Sequence, residues 1–240
     1  MATINSWANT ISSAAVTLNG GAVNISTDNA ANAVNIGLGT TARTISIGNS
    51  GAAHVVNIGS TTGAASMALK YGTADFTLAS ATGTIMAALD TGEVTKPLQP
   101  LFNASLSATQ NNVTGNGTVY TVIYDTETTD VNSDYNNATG VFTAPVTGKY
   151  FLTARNFATG IGVQTTGQTN ISTTPANYGV GYQSPVGSAA AGGNLSLGGG
   201  IVVALTAGDT ATATMTYSGS TQTVGALGSG ASFFMGYLIA

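Results

Sequence analysis

The chain has 240 residues, of which only 6% are charged and 43% are hydrophobic, and its net charge is −4. Its five Lys and Arg residues form no basic cluster, so a nucleic acid partner is not expected, because binding to a phosphate backbone needs clustered cations. The sequence contains no cysteine, which excludes structural disulfides, thiolate catalysis and thiolate metal sites.

Residues 1–22 are predicted to be a frayed lead-in. They lack the charged and apolar regions of a signal peptide, and a strand pattern is already under way at Val16-Thr17-Leu18, so we expect a fragment of a longer fibre. No segment of the sequence approaches the ~20 apolar residues that a membrane helix needs. Membrane insertion is therefore not expected.

An eleven-residue repeat dominates the next segment. Each unit carries two aliphatic residues two positions apart, which places both side chains on one face of a strand. Alanine also recurs in register, where we expect close backbone approach. The five aliphatic phrases are Val23-Asn24-Ile25, Val34-Asn35-Ile36, Ile45-Ser46-Ile47, Val56-Asn57-Ile58 and Met67-Ala68-Leu69.

A single layer of such units would leave an apolar face open and its strand edges unpaired, so a stable monomer is not expected. Three chains wound around a common axis would close that face and pair those edges. We therefore predict a trimeric interwound β-prism or β-helix stalk over residues 23–89, in which Phe76-Thr77-Leu78 is the last strand phrase. A single-chain parallel β-helix is the alternative.

Residues 90–100 are predicted to be a linker, because this segment concentrates three charged residues and two prolines. Residues 101–240 then change to strands of differing length separated by turn signals, which predicts a β-sandwich head and an all-β protein. The terminal strand from Phe233 to Ile239 is apolar on both faces, and its second face is expected to be buried against neighbouring subunits. Gly192-Gly193 and Gly198-Gly199-Gly200 are predicted to be turns.

The head carries a spaced signature of an aromatic residue, a Thr-Gly turn, a Phe, a Pro, a Gly and an aromatic strand. These elements are Tyr135, Thr139-Gly140, Phe142, Pro145, Gly148 and Tyr150-Phe151-Leu152. In order and spacing they resemble the tumour-necrosis-factor-like jelly roll found in the globular heads of complement recognition proteins. The resemblance extends over residues 101–240, and it implies a jelly-roll β-sandwich.

No collagen-like segment precedes this head, only the eleven-residue repeat. That combination resembles the trimeric fibres of bacteriophage tails and the phage-fibre-like adhesins of bacteria, predatory ones included. The resemblance implies an obligate homotrimer that is extracellular, on a cell surface or a virion fibre. Its heads would cluster at the tip of the stalk and bind a surface ligand.

Four acidic residues lie within ten positions of the head: Asp125, Glu127, Asp130 and Asp134. Oxygen ligands at short spacing suit Ca²⁺, and the resemblance adds that some heads of this family bind calcium. The alternative is a solvated loop, which is favoured by the absence of the residue order of a known calcium loop. A glycosidase pair is the enzymatic alternative, but it needs two carboxyls across a cleft, whereas these acids lie on one loop.

His54 is the only histidine in the sequence, so no Ser-His-Asp triad can be assembled. Three copies around a trimer axis could hold a metal ion. However, the equivalent position in other repeats is occupied by Asn32, Arg43 and Ala65. A position that accepts such different residues is expected to face solvent.

The segment from Gly160 to Gly193 is long and rich in Gly, Thr, Asn, Gln and Ser. Tyrosine rings beside amide and hydroxyl groups suit polar ligands such as glycans. We therefore predict a ligand-binding surface, and the alternative is that part of the segment forms ordinary strands of the sandwich. The predicted ligand-binding residues are Tyr178, Tyr182, Asn177 and Gln183.

Together these patterns predict a homotrimeric fibre tip that binds a cell-surface glycan or another envelope component, without catalysis and without a required cofactor. Three weak sites at one tip would gain avidity. One alternative is a purely structural fibre or trimerisation module. The other is a surface-polysaccharide depolymerase.

Overall fold

The structure is a computed structural model that describes residues 75–81, 83–186 and 193–240. The lead-in, His54 and the repeat of residues 23–69 lie outside the described residues, so the structure does not test the predicted stalk over residues 23–74. Sixteen strands make up the regular sheets of the described part. Their bounds are β1 Phe76–Ser80, β2 Gly83–Ala88, β3 Val94–Thr95, β4 Leu101–Ser105, β5 Gln110–Thr114, β6 Val119–Thr121, β7 Thr126–Asp130, β8 Tyr135–Asn136, β9 Val141–Thr143, β10 Gly148–Thr159, β11 Thr166–Thr173, β12 Asn177–Gln183, β13 Leu195–Leu205, β14 Thr210–Ser218, β15 Val224–Ala226 and β16 Phe233–Leu238.

Strands β1, β2 and β3 form a separate three-stranded antiparallel sheet, called the small sheet below. It spans the end of the predicted stalk and the beginning of the predicted linker. In its register Leu78 lies opposite Met86, Thr77 lies opposite Ala87, and Val94 lies opposite Ala88.

The head is a sandwich of two antiparallel sheets. Sheet I contains β4, β5, β7, β10, β13, β15 and β16, and sheet II contains β6, β8, β9, β11, β12 and β14. The long strand β10 is central to sheet I, because one edge pairs with β13 along nearly its whole length and the other pairs with β16 and β15. Residues of β10 alternate between buried and accessible, as expected for a strand with one face on the core.

Aromatic rings from both sheets meet in the core. The Phe102 ring of sheet I stacks on the Tyr135 and Phe142 rings of sheet II, with centroid separations of 5.1 and 4.7 Å. Phe234 of β16 meets Phe102 edge-on at 4.9 Å. Because offset and edge-to-face aromatic pairs are favourable beyond the area they bury, these rings fix how the sheets face each other.

A small polar network crosses the same core. The buried Asn156 of β10 accepts a hydrogen bond from the Tyr124 hydroxyl at 2.7 Å, and its amide nitrogen donates to the Thr169 hydroxyl at 3.3 Å. The network therefore links sheet I to sheet II through Thr169 of β11. Each of these buried groups has a partner, which is what makes their burial tolerable.

The prediction that Gly198-Gly199-Gly200 form a turn is wrong, since all three lie inside β13. At Gly198 and Gly199, the backbone of β13 at the edge of sheet I closely approaches β12 at the edge of sheet II. A Cβ atom on Gly199 would lie 2.5 Å from the Val180 carbonyl oxygen of β12, and one on Gly181 would lie 2.7 Å from the Gly198 nitrogen. Only glycine leaves room for two backbones this close.

We expect Gly199→Ala to lower the free energy of unfolding by about 1–3 kcal/mol, because the added methyl group overpacks against a backbone carbonyl that cannot rotate away. Chemical denaturation followed by circular dichroism would measure the change. The matched control is Gly179→Ala in β12, whose new methyl group meets only the Asn170 side-chain oxygen at an ordinary 3.4 Å. Equal effects of the two substitutions would contradict the close-approach role of Gly199.

Candidate functional site

Two acidic residues of the predicted calcium site, Asp125 and Asp130, accept hydrogen bonds from backbone amides. The Asp125 carboxylate accepts hydrogen bonds from the Ser107 amide at 2.8 Å and the Ser107 hydroxyl at 2.5 Å, which lower the pKa of Asp125 below its usual value. Asp130 accepts from the backbone amides of Asp134 and Tyr135 at 3.0 and 3.2 Å. Asp125 therefore ties its segment to the β4–β5 connection, and Asp130 stabilises the backbone that follows it.

Glu127 lies in β7, opposite Ala104, with its side chain exposed. Within residues 75–81, 83–186 and 193–240, no three His, Cys, Asp or Glu side chains come together in a group that could hold a metal ion. The structure thus places the four predicted acids along one edge of the head but does not assemble them as a set of calcium ligands.

Asp134 is the unusual member of this group. Partial burial, and then the nearby negative charge of Asp130, raise its pKa from 3.8 to about 6. One of its carboxylate oxygens is buried without a hydrogen-bond partner. The residue also lines a shallow cleft of about 560 Å³ together with Tyr135, Asn136 and Thr139.

The raised pKa of Asp134 predicts a pH dependence of stability. Between about pH 4 and pH 6 the folded chain keeps this proton while the unfolded chain releases it, so this contribution to stability is lost as the pH rises through that window. Unfolding curves at pH 4.5 and pH 7 should show a smaller loss in Asp134→Asn than in the parent chain. Asp125→Asn is the control, because the Asp125 carboxyl titrates below this window. An unchanged loss in Asp134→Asn would contradict the assignment.

The predicted glycan-binding residues lie on strands, since the segment from Gly160 to Gly193 contains β11 and β12. A β-bulge in this pair shifts the register between Thr169 and Asn170. As a result Tyr178 lies opposite Ile171 and packs on the core, whereas Tyr182 lies opposite Gln168 and its side chain is 65% exposed. The bulge therefore separates the two tyrosines onto opposite faces of the strand.

The two amide residues of the predicted site are separated in the same way. Asn177 lies opposite Ser172, on the outer face of sheet II, and is exposed. Gln183 lies opposite Gly167, and its amide nitrogen is 3.5 Å from the Pro185 carbonyl oxygen. Of the four predicted ligand-binding residues, Tyr182 and Asn177 share the accessible outer face.

This outer face, called the polar face below, continues across β11 and β14 in rows fixed by the strand register. Its side chains are hydroxyls and amides with one tyrosine, and none of them is charged. Tyr182 and Asn177 are exposed. The other side chains of this face are half-buried, except for Asn170, Thr214 and Thr216, which are buried. Its members are Gln168, Asn170, Ser172, Asn177, Tyr182, Thr212, Thr214 and Thr216.

The outer face of sheet I has the opposite character and is called the apolar face below. Val202 is 61% exposed and lies opposite Phe151, whose ring centroid is 5.5 Å from that of Tyr237. At its margin the Arg155 guanidinium lies 5.0 Å from the centroid of the Phe233 ring. The central members are Phe151, Val202, Phe233, Met235 and Tyr237.

Sequence reasoning missed Phe151 and Val202 as members of a surface. A signal was present, because Phe151 lies between the buried Tyr150 and Leu152, and Val202 lies within an aliphatic run. A strand whose outward positions are also apolar has two faces to cover. The rule that predicts a second buried face for Phe233 to Ile239 applies equally to β10 and β13.

The sandwich, its aromatic core and the length of the head agree with the family comparison, in which the family model described as the C1q domain matches residues 102–239. This chain belongs to the C1q domain family. C1q and tumour-necrosis-factor-like domains typically form trimers and mediate ligand or receptor recognition. They are generally non-enzymatic and typically secreted or extracellular.

Solved structures similar to this C1q domain have low sequence identity to it. The globular domain of zebrafish complement 1qA is 17% identical, covering 59% of this chain and 98% of its own, with a TM-score of 0.41. Murine APRIL at pH 5.0 is 13% identical over 59% and 99% of the chains, with a TM-score of 0.41. Eiger TNF from S. frugiperda is 13% identical over 59% and 94%, with a TM-score of 0.42.

No curated protein matches the chain. The part of the chain that the structure describes contains no helix with the length and hydropathy that a membrane crossing requires.

Proposed function

We propose that this chain forms a homotrimeric, extracellular recognition head that binds a surface glycan without catalysis. The observation that carries the proposal is the contrast between the two outer faces of the C1q sandwich. One is apolar and aromatic, which suits contact with other subunits. The other is uncharged and polar with an exposed tyrosine, which suits a neutral, hydroxyl-rich ligand.

The apolar face supports subunit contact on energetic grounds. Fully burying an exposed aliphatic side chain such as Val202 contributes roughly 1.5–3 kcal/mol, and the half-buried Phe151 adds to this. Aromatic residues and Met, which this face presents as Phe151, Met235 and Tyr237, are enriched at interface cores, where charged side chains are depleted. Since C1q domains typically form trimers, a homotrimer is the assembly that this face favours.

The polar face supports a glycan ligand on chemical grounds. Saccharides present hydroxyl groups on a ring with weakly apolar C–H faces, so they pair with amide and hydroxyl side chains and pack on an aromatic ring. Tyr182 offers the ring, while Gln168 in the opposite strand and Asn177 offer amide groups. The lack of charge on this face disfavours phosphate or other strongly ionic ligands.

The fibre context is part of the same proposal. The eleven-residue repeat would form a stalk over residues 23–89, after a lead-in of residues 1–22, and a linker over residues 90–100 would join it to the head of residues 101–240. Such a stalk would present three heads at one tip, as in a phage tail fibre or a bacterial adhesin. Three sites at one tip raise the effective concentration for a surface that carries many copies of one glycan.

We expect the parent chain to have a mass in solution of about three times 23.7 kDa. Val202→Asp should dissociate it or weaken its assembly, because burying an unpaired carboxylate at a subunit contact is costly. Light scattering after size-exclusion chromatography gives the mass directly. The matched control is Val163→Asp, a valine that is 76% exposed between β10 and β11 and is absent from both sheets. A monomeric parent chain would contradict the trimer.

We expect Tyr182→Ala to weaken binding to glycan arrays or to bacterial surface polysaccharide by about tenfold or more, since about 1.4 kcal/mol of lost contact corresponds to tenfold in affinity. Tyr182→Phe should retain most of the binding if the ring provides it. Both variants should keep the parent's mass, because the side chain is exposed. No binding by an intact trimer would favour the purely structural module, and release of reducing ends would favour the depolymerase.

A further inference from the structure

One row of side chains crosses four strands of sheet II on its outer face. Register places Tyr182 of β12 opposite Gln168 of β11, and Gln168 opposite Thr216 of β14. Thr216 in turn lies opposite Val119 of β6. The two ends of the row are its most exposed members, since Tyr182 is 65% and Val119 is 64% exposed. The row therefore has an aromatic ring at one end, an aliphatic side chain at the other and polar groups between them.

A second row runs beside the first across the same four strands. Asn170 of β11 lies between Gly179 of β12 and Thr214 of β14, and Thr214 lies opposite Thr121 of β6. Gly179 leaves its end of this row open, because a Cβ atom there would meet only the Asn170 side-chain oxygen, at 3.4 Å. The two rows together are called the polar band below.

The polar groups of this band do not hold the head together. Within the residues that the structure describes, no hydrogen bond engages the side chains of Gln168, Asn170 or Tyr182. Asn170 and Thr216 are nevertheless buried, and the Thr216 hydroxyl has no hydrogen-bond partner. Buried polar groups normally have partners, because leaving them unpaired is destabilising. A face that keeps amide and hydroxyl groups at this cost has the character of a binding surface.

The charge and length of the band indicate the kind of ligand that fits it. The strands β6, β11, β12 and β14 contain no Asp, Glu, Lys or Arg. Adjacent strands lie about 4.8 Å apart, so the three spacings from β12 to β6 give the band a length of roughly 14 Å. A single sugar ring is shorter than this, whereas a short chain of linked sugars can lie along it.

We propose that the polar band binds an internal segment of a neutral polysaccharide, which lies across the strands from Tyr182 to Val119. The weakly apolar C–H faces of its sugars pack on these two side chains, and its hydroxyl groups meet Gln168. The inference rests on the glycan binding proposed above and names the class of glycan. That class is a chain of uncharged sugars, and a single terminal sugar fills only the Tyr182 end.

The dependence of affinity on chain length tests this inference on the unmodified protein. Neutral polysaccharide from bacterial envelopes is cut by mild acid and separated into mono-, di-, tri- and tetrasaccharides. Titration calorimetry should show at least tenfold tighter binding of the tetrasaccharide than of the monosaccharide. This measurement needs no variant, so a folding defect in a variant cannot obscure it.

Val119→Ser removes the aliphatic end of the band. It should weaken tetrasaccharide binding by about fivefold or more and leave monosaccharide binding unchanged, whereas Tyr182→Ala should weaken the binding of every fragment. The matched control is Val163→Ser, because Val163 is 76% exposed and lies outside both rows. This control should bind every fragment as the parent does, and circular dichroism checks that each variant is folded.

These results separate the inference from the proposed function itself. Equal binding of mono- and tetrasaccharide, or tetrasaccharide binding that a folded Val119→Ser leaves unchanged, would overturn the extended site and leave glycan binding standing. A preference for the acidic polysaccharide fraction would overturn the neutral class of ligand. Failure of the parent chain to bind any envelope polysaccharide would overturn both.

Discussion

The position of the Phe102 ring between Tyr135, Phe142 and Phe234 is the interaction on which the rest of the head depends. It joins β4 and β16 of sheet I to β8 and β9 of sheet II, and it fixes which side of each strand is interior. Once Phe234 points inward, its neighbours Phe233 and Met235 must point outward, because side chains alternate along a strand. The apolar face therefore follows from how the core is packed.

The same alternation produces two unlike surfaces from one small-residue composition. Strand β14 places Ala211, Ala213 and Met215 on its core face and its threonines on the opposite face. Strands β10 and β16, in contrast, carry apolar residues on both faces. Sheet I consequently has two apolar faces that packing must remove from water, whereas sheet II has one. A protein with so few charges can stay soluble in this arrangement if the second face of sheet I is occupied by other subunits and sheet II faces water.

Structural features that follow from core packing could be predicted from the sequence. The spacing from Tyr135 to Leu152 is a core signature, and Tyr135, Phe142, Tyr150 and Leu152 are all buried. The terminal strand, which the sequence shows to be apolar on both faces, lies in the interior of sheet I between β10 and β4. Core signatures are predictable because burial demands particular residues at alternate positions.

Features that depend on backbone contacts between distant segments could not be predicted. Glycines 198–200 have the composition of a turn, but they lie inside β13, where Gly199 closely approaches β12 and a Cβ on Gly198 or Gly200 would meet β10. The β-bulge between β11 and β12 places Tyr178 and Tyr182 on opposite faces, and no residue pattern in the sequence marks the position of this bulge. The spacing of Asp125 and Asp130 also gives no sign that these carboxylates accept hydrogen bonds from the Ser107 and Asp134 backbone amides.

The alternation in β11 and β12 also has a consequence for diversification. Thr169 and Ile171 face the interior, while Gln168, Ser172 and Tyr182 face outward from the same hydrogen-bonded backbone. Substitutions at these outward positions alter which hydroxyl, amide or ring groups are presented without changing the residues that hold the sheets together. Point mutations on one side of sheet II could thus change the chemistry of this surface while the core stayed under separate selection.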